Sequence, residues 1–122
     1  MSSLTESLRQ VMAVDGVRAA ALVDIATGMV IRSAGEEGTD LVAAAVSMAD
    51  EARMARAVLG HGRPGGDLDE IALVTKGRLH LIKILGSRLG EGMLLFVDLD
   101  RTQANIALAS LRVGQLAPAV LA

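Results

Sequence analysis

The chain has 122 residues, 52% of them hydrophobic, and its Lys+Arg 12 against Asp+Glu 14 give a formal net charge of −2. That length admits one domain, and a mean hydropathy of +0.46 is more apolar character than a monomer of this size hides easily, so part of it is expected to meet another chain. The basic residues are scattered rather than gathered into a stripe, which argues against nucleic acid as a partner, and the absence of Cys excludes a disulfide scaffold and a thiolate metal site.

The N-terminal Met1-Ser2-Ser3-Leu4-Thr5-Glu6 is polar and acidic where a signal peptide is basic and then apolar, and no uncharged apolar run approaches the ~20 residues that span a bilayer. A cytoplasmic address without membrane insertion is the expectation. Ser3 and Glu6 have capping-box spacing, and Leu4, Leu8, Val11 and Met12 recur at helical spacing, so a first helix is predicted from Leu4 to Val14, ended by Asp15-Gly16. Val17 to Asp24 and Met29 to Ser33 read as antiparallel strands joined by Ile25-Ala26-Thr27-Gly28, with Gly28 free to take the positive φ of a bulged hairpin.

A second helix is predicted from Asp40 to Leu59, capped by Thr39 or Asp40, with Leu41, Ala45, Met48, Ala52, Ala55 and Leu59 forming one stripe of mostly small residues. The run Gly60-His61-Gly62-Arg63-Pro64-Gly65-Gly66 is a loop by composition and the segment expected to move most. Leu68 to Thr75, Arg78 to Leu85 and Met93 to Leu99 follow as strands, and Asp100 with Gln103 is expected to cap a last helix that reaches Gln115 and stops at Pro118. Strands apolar on both faces need cover on both, so the prediction is a single α+β domain over residues 1–122. It has three layers: a five-stranded, mostly antiparallel sheet, the first and last helices on one face, and the central helix on the other.

Side chains for chemistry are scarce: there are two His and one aromatic residue, Phe96. Gly86 to Gly92 precedes a strand, whereas a phosphate cradle draws its strength from a following helix, so a hairpin loop is favoured. Asp24, Asp98 and Asp100 lie at strand ends and would suit Mg²⁺ only if they converged; a cap and helix-dipole role competes with that reading. His61 in its loop and His80 in its strand supply too few ligands for a metal site, Glu36-Glu37 and the Asp50/Arg53 pair read as solvated surface, and Ser33 and Ser110 lack a suggestive histidine. No catalytic, cofactor or metal residue is assigned, and the chain is expected not to be an enzyme.

In Gly16-Val17, Ala20, Leu22-Val23-Asp24, Thr27-Gly28, Leu68 through Val74, and Asp98-Leu99-Asp100 leading to Asn105, Leu108 and Ala109, the chain resembles the roadblock family, the dynein light chain and bacterial GTPase-regulator superfamily. The resemblance covers nearly the whole length and implies a roadblock/profilin-like fold. It also implies a homodimer or heterodimer whose third strands pair across a twofold axis, with the central helices side by side, acting as scaffold or regulator of a small Ras-like GTPase in a bacterial signalling or polarity system. On that topology Leu68 to Thr75 is an edge strand, and Ile71, Ala72, Leu73 and Val74 form an exposed apolar edge that pairing with a twin would cover. The dimer-interface candidates are therefore Ile71, Leu73 and Val74 with Leu41, Ala45, Met48, Ala52 and Ala55 of the central helix, whose small side chains suit either a second helix or the chain's own sheet. Ser47, Asp50, Glu51 and Arg53 are the candidate polar rim for the GTPase. The alternative is a profilin- or PAS-like sensory module holding a small ligand between sheet and helix, against which the single aromatic and the aliphatic sheet faces argue.

Overall fold

The computed structural model describes residues 3–35, 40–59, 64–65, 67–86 and 92–120. Eight elements follow in order: α1 (Leu4–Met12), β1 (Val17–Asp24), β2 (Val30–Gly35), α2 (Leu41–Leu59), β3 (Glu70–Val74), β4 (Arg78–Leu85), β5 (Met93–Asp100) and α3 (Ile106–Val120). The five strands form one antiparallel sheet in the order β2-β1-β5-β4-β3, so β1, β5 and β4 are interior strands and β2 and β3 are its edges.

Local chemistry sets the element boundaries. The Glu6 amide donates to Ser3 Oγ at 3.0 Å, satisfying one of the orphan donors at the start of α1. Asp40 does the same for α2, its Oδ1 accepting from the Ala43 amide at 3.1 Å. Between β1 and β2, Gly28 takes φ +74, and a Cβ there would lie 3.2 Å from the Val46 Cα; the hairpin can press this closely on α2 because no side chain intervenes. The β1–β2 pairing shifts register between Leu22 and Val23, which inserts an extra residue into β2 and bends that edge.

The last helix departs from the sequence expectation at both ends. Asp100 Oδ1 accepts from the Thr102 amide at 2.9 Å and closes a short turn, while Asn105 Oδ1 accepts from the Leu108 amide at 3.0 Å and is the true cap of α3. At the other end α3 runs through Pro118 to Val120. Proline there forfeits one backbone bond near the helix end, and the buried row Ala109, Val113, Ala117 and Val120 holds the last turns against the sheet.

The sheet separates two apolar clusters. Ala20, Leu22, Leu79, Leu81, Leu95, Val97 and Leu99 pack with Leu8 and Val11 of α1 and with the buried row of α3. Ala21, Val23, Ile82, Leu94 and Phe96 pack with Ala45, Met48, Ala49 and Ala52 of α2. Alternate residues of each interior strand thus belong to different clusters, as the period of two requires, and this is why those strands are apolar throughout. The expected loop at 60–66 falls largely outside the described residues, as do Thr39, Glu36-Glu37 and residues 87–91 of the Gly86 loop.

Candidate functional site

Two exposed regions bear on the expected contacts, the open edge of β3 and the outward side of α2; Leu108 and Leu111 of α3 and Met29 of the hairpin are exposed as well. Within β3, Ile71 and Leu73 are half-buried beside the α2-side cluster, while Ala72 and Val74 are exposed. The single charge of the strand, Glu70, accepts hydrogen bonds from Ser110 Oγ at 2.8 and 2.9 Å and so is drawn back onto α3.

The small-residue stripe of α2 faces inward. Ala45 and Ala52 have no exposed surface and Met48 has 7%, all against the chain's own sheet, and Leu41 packs at the margin of the same cluster. Ala45, Met48 and Ala52, expected at a dimer interface, pack on the chain's own sheet, and Ala55 is half-buried. A different row faces outward. Val42, Val46, Met54 and Val58 are 70%, 48%, 66% and 82% exposed and recur at multiples of four, one ridge along the helix surface. The signal was present in the sequence as a second apolar row, but α2 is apolar nearly all round, and composition alone does not say which row the sheet takes.

The four rim candidates divide. Ser47 and Glu51 are exposed beside this ridge, and Asp50 is exposed within it, between Val46 and Met54. Arg53 is a strut: its guanidinium donates to the carbonyls of Ile25 and Ala26, the latter at 3.4 Å, and pairs with Asp50, tying α2 to the β1–β2 hairpin.

No acidic site assembles from Asp24, Asp98 and Asp100. Asp24 is opposite Met93 and Asp98 opposite Ala19, so five residues of β5, about 17 Å, separate the two ends. Asp24 Oδ2 instead accepts from the Thr27 hydroxyl at 2.6 Å. Asp98, with 8% of its side chain exposed, is held by Arg78 Nη1 at 3.1 Å and faces His80 Nε2 at 3.3 Å. The His80 ring meets Phe96 edge-on, centroids 5.2 Å apart, which makes it a packed histidine. Asp100 has its carboxyl held below the ordinary value, first by the Thr102 hydroxyl and then by the Thr102 amide. Ser110 is committed to Glu70, and His61 lies outside the described residues. Among the described residues no group of three or more His, Cys, Asp or Glu is placed to hold a metal ion, and no helix is long and apolar enough to cross a membrane.

The sequence matches no family model and no curated protein. Solved structures are similar in fold. A Roadblock/LC7 domain from Streptomyces avermitilis superposes with a TM-score of 0.76 over 92% of this chain and 88% of its own, at 20% identity. The gliding protein MglB of Thermus thermophilus gives 0.73 over 96% and 87%, at 19% identity. MglC of Myxococcus xanthus gives 0.66 over 98% and 97%, at 20% identity. Element order, antiparallel sheet and near-complete coverage agree, and the chain has the Roadblock/LC7 fold.

Proposed function

We propose that the chain is a non-enzymatic dimeric scaffold that regulates a small Ras-like GTPase in a bacterial signalling or polarity system, working in the cytoplasm. The observation that carries the reading is the likeness in fold, over nearly the full length, to a gliding protein, MglB, and to MglC. It is supported by what the surface offers. The half-buried Ile71 and Leu73 with the exposed Val74 suit a strand-to-strand contact with a second copy. The outward row Val42, Val46, Met54 and Val58, interrupted at its centre by Asp50 and flanked by Ser47 and Glu51, suits an interface that mixes apolar and polar groups.

The sensory-module alternative draws less support. The space between α2 and the sheet is occupied by Phe96, Ile82, Leu94, Ala45, Ala49 and Ala52, all with 2% exposure or less. A groove of about 450 Å³ does lie between α1 and α3, but it is on the opposite side of the sheet and is bordered by surface residues such as Gln10, Gln103 and Arg112.

Titration of a genomically linked Ras-like GTPase, loaded with GDP or with a GTP analogue, tests the reading. Binding is expected to favour one nucleotide state, since a regulator that binds both states equally shifts neither, and Val46→Glu or Glu51→Lys is expected to weaken it. Equal affinity for both states would leave a passive scaffold. Absence of binding would overturn the proposal in favour of the sensory module.

A further inference from the structure

The exposed row of α2 is not one flat face. A helix turns about 100° per residue, so a row at spacing four winds around it by about 40° at each step. Val42 and Val46 therefore lie on one flank of the helix and Met54 and Val58 on the other, with Asp50 at the crossing between them.

The flank that carries Val46 is the one against the β1–β2 hairpin. A Cβ on Gly28 would stand 3.2 Å from the Val46 Cα and 3.5 Å from its Cγ2, and Arg53, on the same flank, reaches the carbonyls of Ile25 and Ala26. Apolar surface thus continues from the helix onto the hairpin. Met29, which follows Gly28, is 64% exposed, and Ile31, the extra residue at the β2 register shift, is 47% exposed. Single exposed apolar residues are ordinary on a protein surface, whereas a cluster of large ones drawn from two elements marks a contact surface.

The hairpin is fixed in place. The Gly28 amide donates to the Asp24 carbonyl at 2.8 Å, the Thr27 hydroxyl to Asp24 Oδ2 at 2.6 Å and the Met29 amide to Thr27 Oγ1 at 3.2 Å, while the Arg53 guanidinium fastens the tip to α2. A surface already ordered loses little conformational freedom when a partner binds. It is also remote from β3: β2 and β3 are the two ends of the sheet order, so a second copy seated on β3 leaves this patch uncovered.

The charges beside the patch are one-sided. Asp40 and Asp50 bracket Val42 and Val46 along α2, about 15 Å apart at a rise of about 1.5 Å per residue, and both are exposed. The neighbouring arginines are engaged, Arg32 donating to Thr5 Oγ1 at 2.6 Å and Arg53 holding the hairpin carbonyls and one edge of Asp50, whose side chain keeps 57% of its surface. An apolar centre with acidic ends complements an apolar surface flanked by Lys or Arg.

Resting on the GTPase reading above, we propose that the Ras-like GTPase docks on α2 and the β1–β2 hairpin together, covering Met29 and Ile31 with Val42 and Val46 and setting basic side chains of its own against Asp40 and Asp50.

A genomically linked Ras-like GTPase, in the nucleotide state that binds more tightly, is titrated against wild type, Val46→Glu, Met29→Asp and Asp40→Asn. Asn caps a helix as well as Asp, so the last variant removes a charge and keeps the start of α2. Met29→Asp is expected to weaken binding by about tenfold or more, as Val46→Glu does, with thermal unfolding unchanged. Asp40→Asn is expected to slow association and to lessen its dependence on salt. Wild-type affinity in Met29→Asp beside a loss in Val46→Glu would take the hairpin out of the contact and overturn the proposal while leaving the GTPase reading intact. Wild-type association by Asp40→Asn at low salt would overturn the charge pairing. Absence of binding by the wild type would overturn both. A Met29→Asp variant whose sedimenting mass changes while its affinity does not would assign the patch to a further copy of this chain and overturn the proposal. If Met29→Asp fails to fold, wild type with labelled methionine methyl groups decides the matter. The Met29 methyl signal is expected to shift when the GTPase is added, and an unmoved Met29 signal in a formed complex overturns the proposal.

Discussion

Asp100 shows how much one hydroxyl does in this chain. Its carboxyl accepts from the Thr102 hydroxyl at 2.7 Å, the leading cause of its lowered pKa, followed by the Thr102 amide. A carboxylate whose pKa is depressed on folding adds stability above its unfolded value, and that contribution is lost as pH falls through the folded pKa. Thr102→Val is therefore expected to raise the Asp100 titration midpoint toward 3.8, followed by NMR across acid pH; an unmoved midpoint would show that the Thr102 amide and the charges of Arg18 and Arg78 suffice to lower it. Gly114 offers a residue-scale prediction of the opposite kind. It sits inside α3, where Gly costs about 1 kcal/mol relative to Ala. A Cβ there would meet Lys83 Nζ at 3.7 Å and Cε at 3.8 Å, ordinary contact distances. Gly114→Ala should raise stability by about 0.5–1 kcal/mol in urea unfolding. A loss would mean that Lys83, paired with Asp69 at 2.8 Å, needs the open space.

Among the elements, α3 shows where a sequence signal and its physical cause part company. Asp100 and Gln103 have capping-box spacing, but Asp100 commits its carboxylate to the Thr102 turn and Asn105 takes the cap. Asn105→Ala should cost about 1 kcal/mol and speed amide exchange at the start of α3, while Asp100→Ala should leave that exchange unchanged. The spacing Asn105 to Leu108 is equally visible in the sequence, but two candidate caps within one turn cannot be ranked without knowing which backbone amides are free. Pro118 misleads for a related reason: its effect depends on how many hydrogen bonds lie beyond it and on the packing of Ala117 and Val120, and the latter is a tertiary fact. β1 and β4 are legible to the residue, because period two and tight turns are local properties, while the ends of β2 and β3 lie up to two residues from where the pattern puts them. In α2 the boundaries are legible and the orientation is not. Its inward row of small residues and its outward row of Val and Met differ only in what the sheet covers. Met54→Glu on the outward row should leave thermal unfolding within about 0.5 kcal/mol of wild type, since exposed sites tolerate change. Ala52→Glu, which buries an unpaired charge, should unfold the chain or nearly so.

At the scale of the whole molecule, two closed cores and one open edge define the problem this chain has to solve. Both faces of the sheet are covered in their interior, yet β3 presents three outward pairs of backbone groups and an apolar flank with no register shift and no free charge to blunt them. The dimer expected from the sequence rests on apolar excess, on resemblance and on a supposed edge. The sheet order places β3 at an edge, and Ala45, Met48 and Ala52 are buried on the chain's own sheet. Sedimentation equilibrium at micromolar concentration, comparing wild type with Leu73→Lys, tests that dimer most directly. The wild type is expected at twice the 12.6 kDa chain mass and the variant, folded by circular dichroism, at the mass of one chain. A wild-type protein that sediments as a monomer, or a Leu73→Lys variant as dimeric as the wild type, would contradict the account.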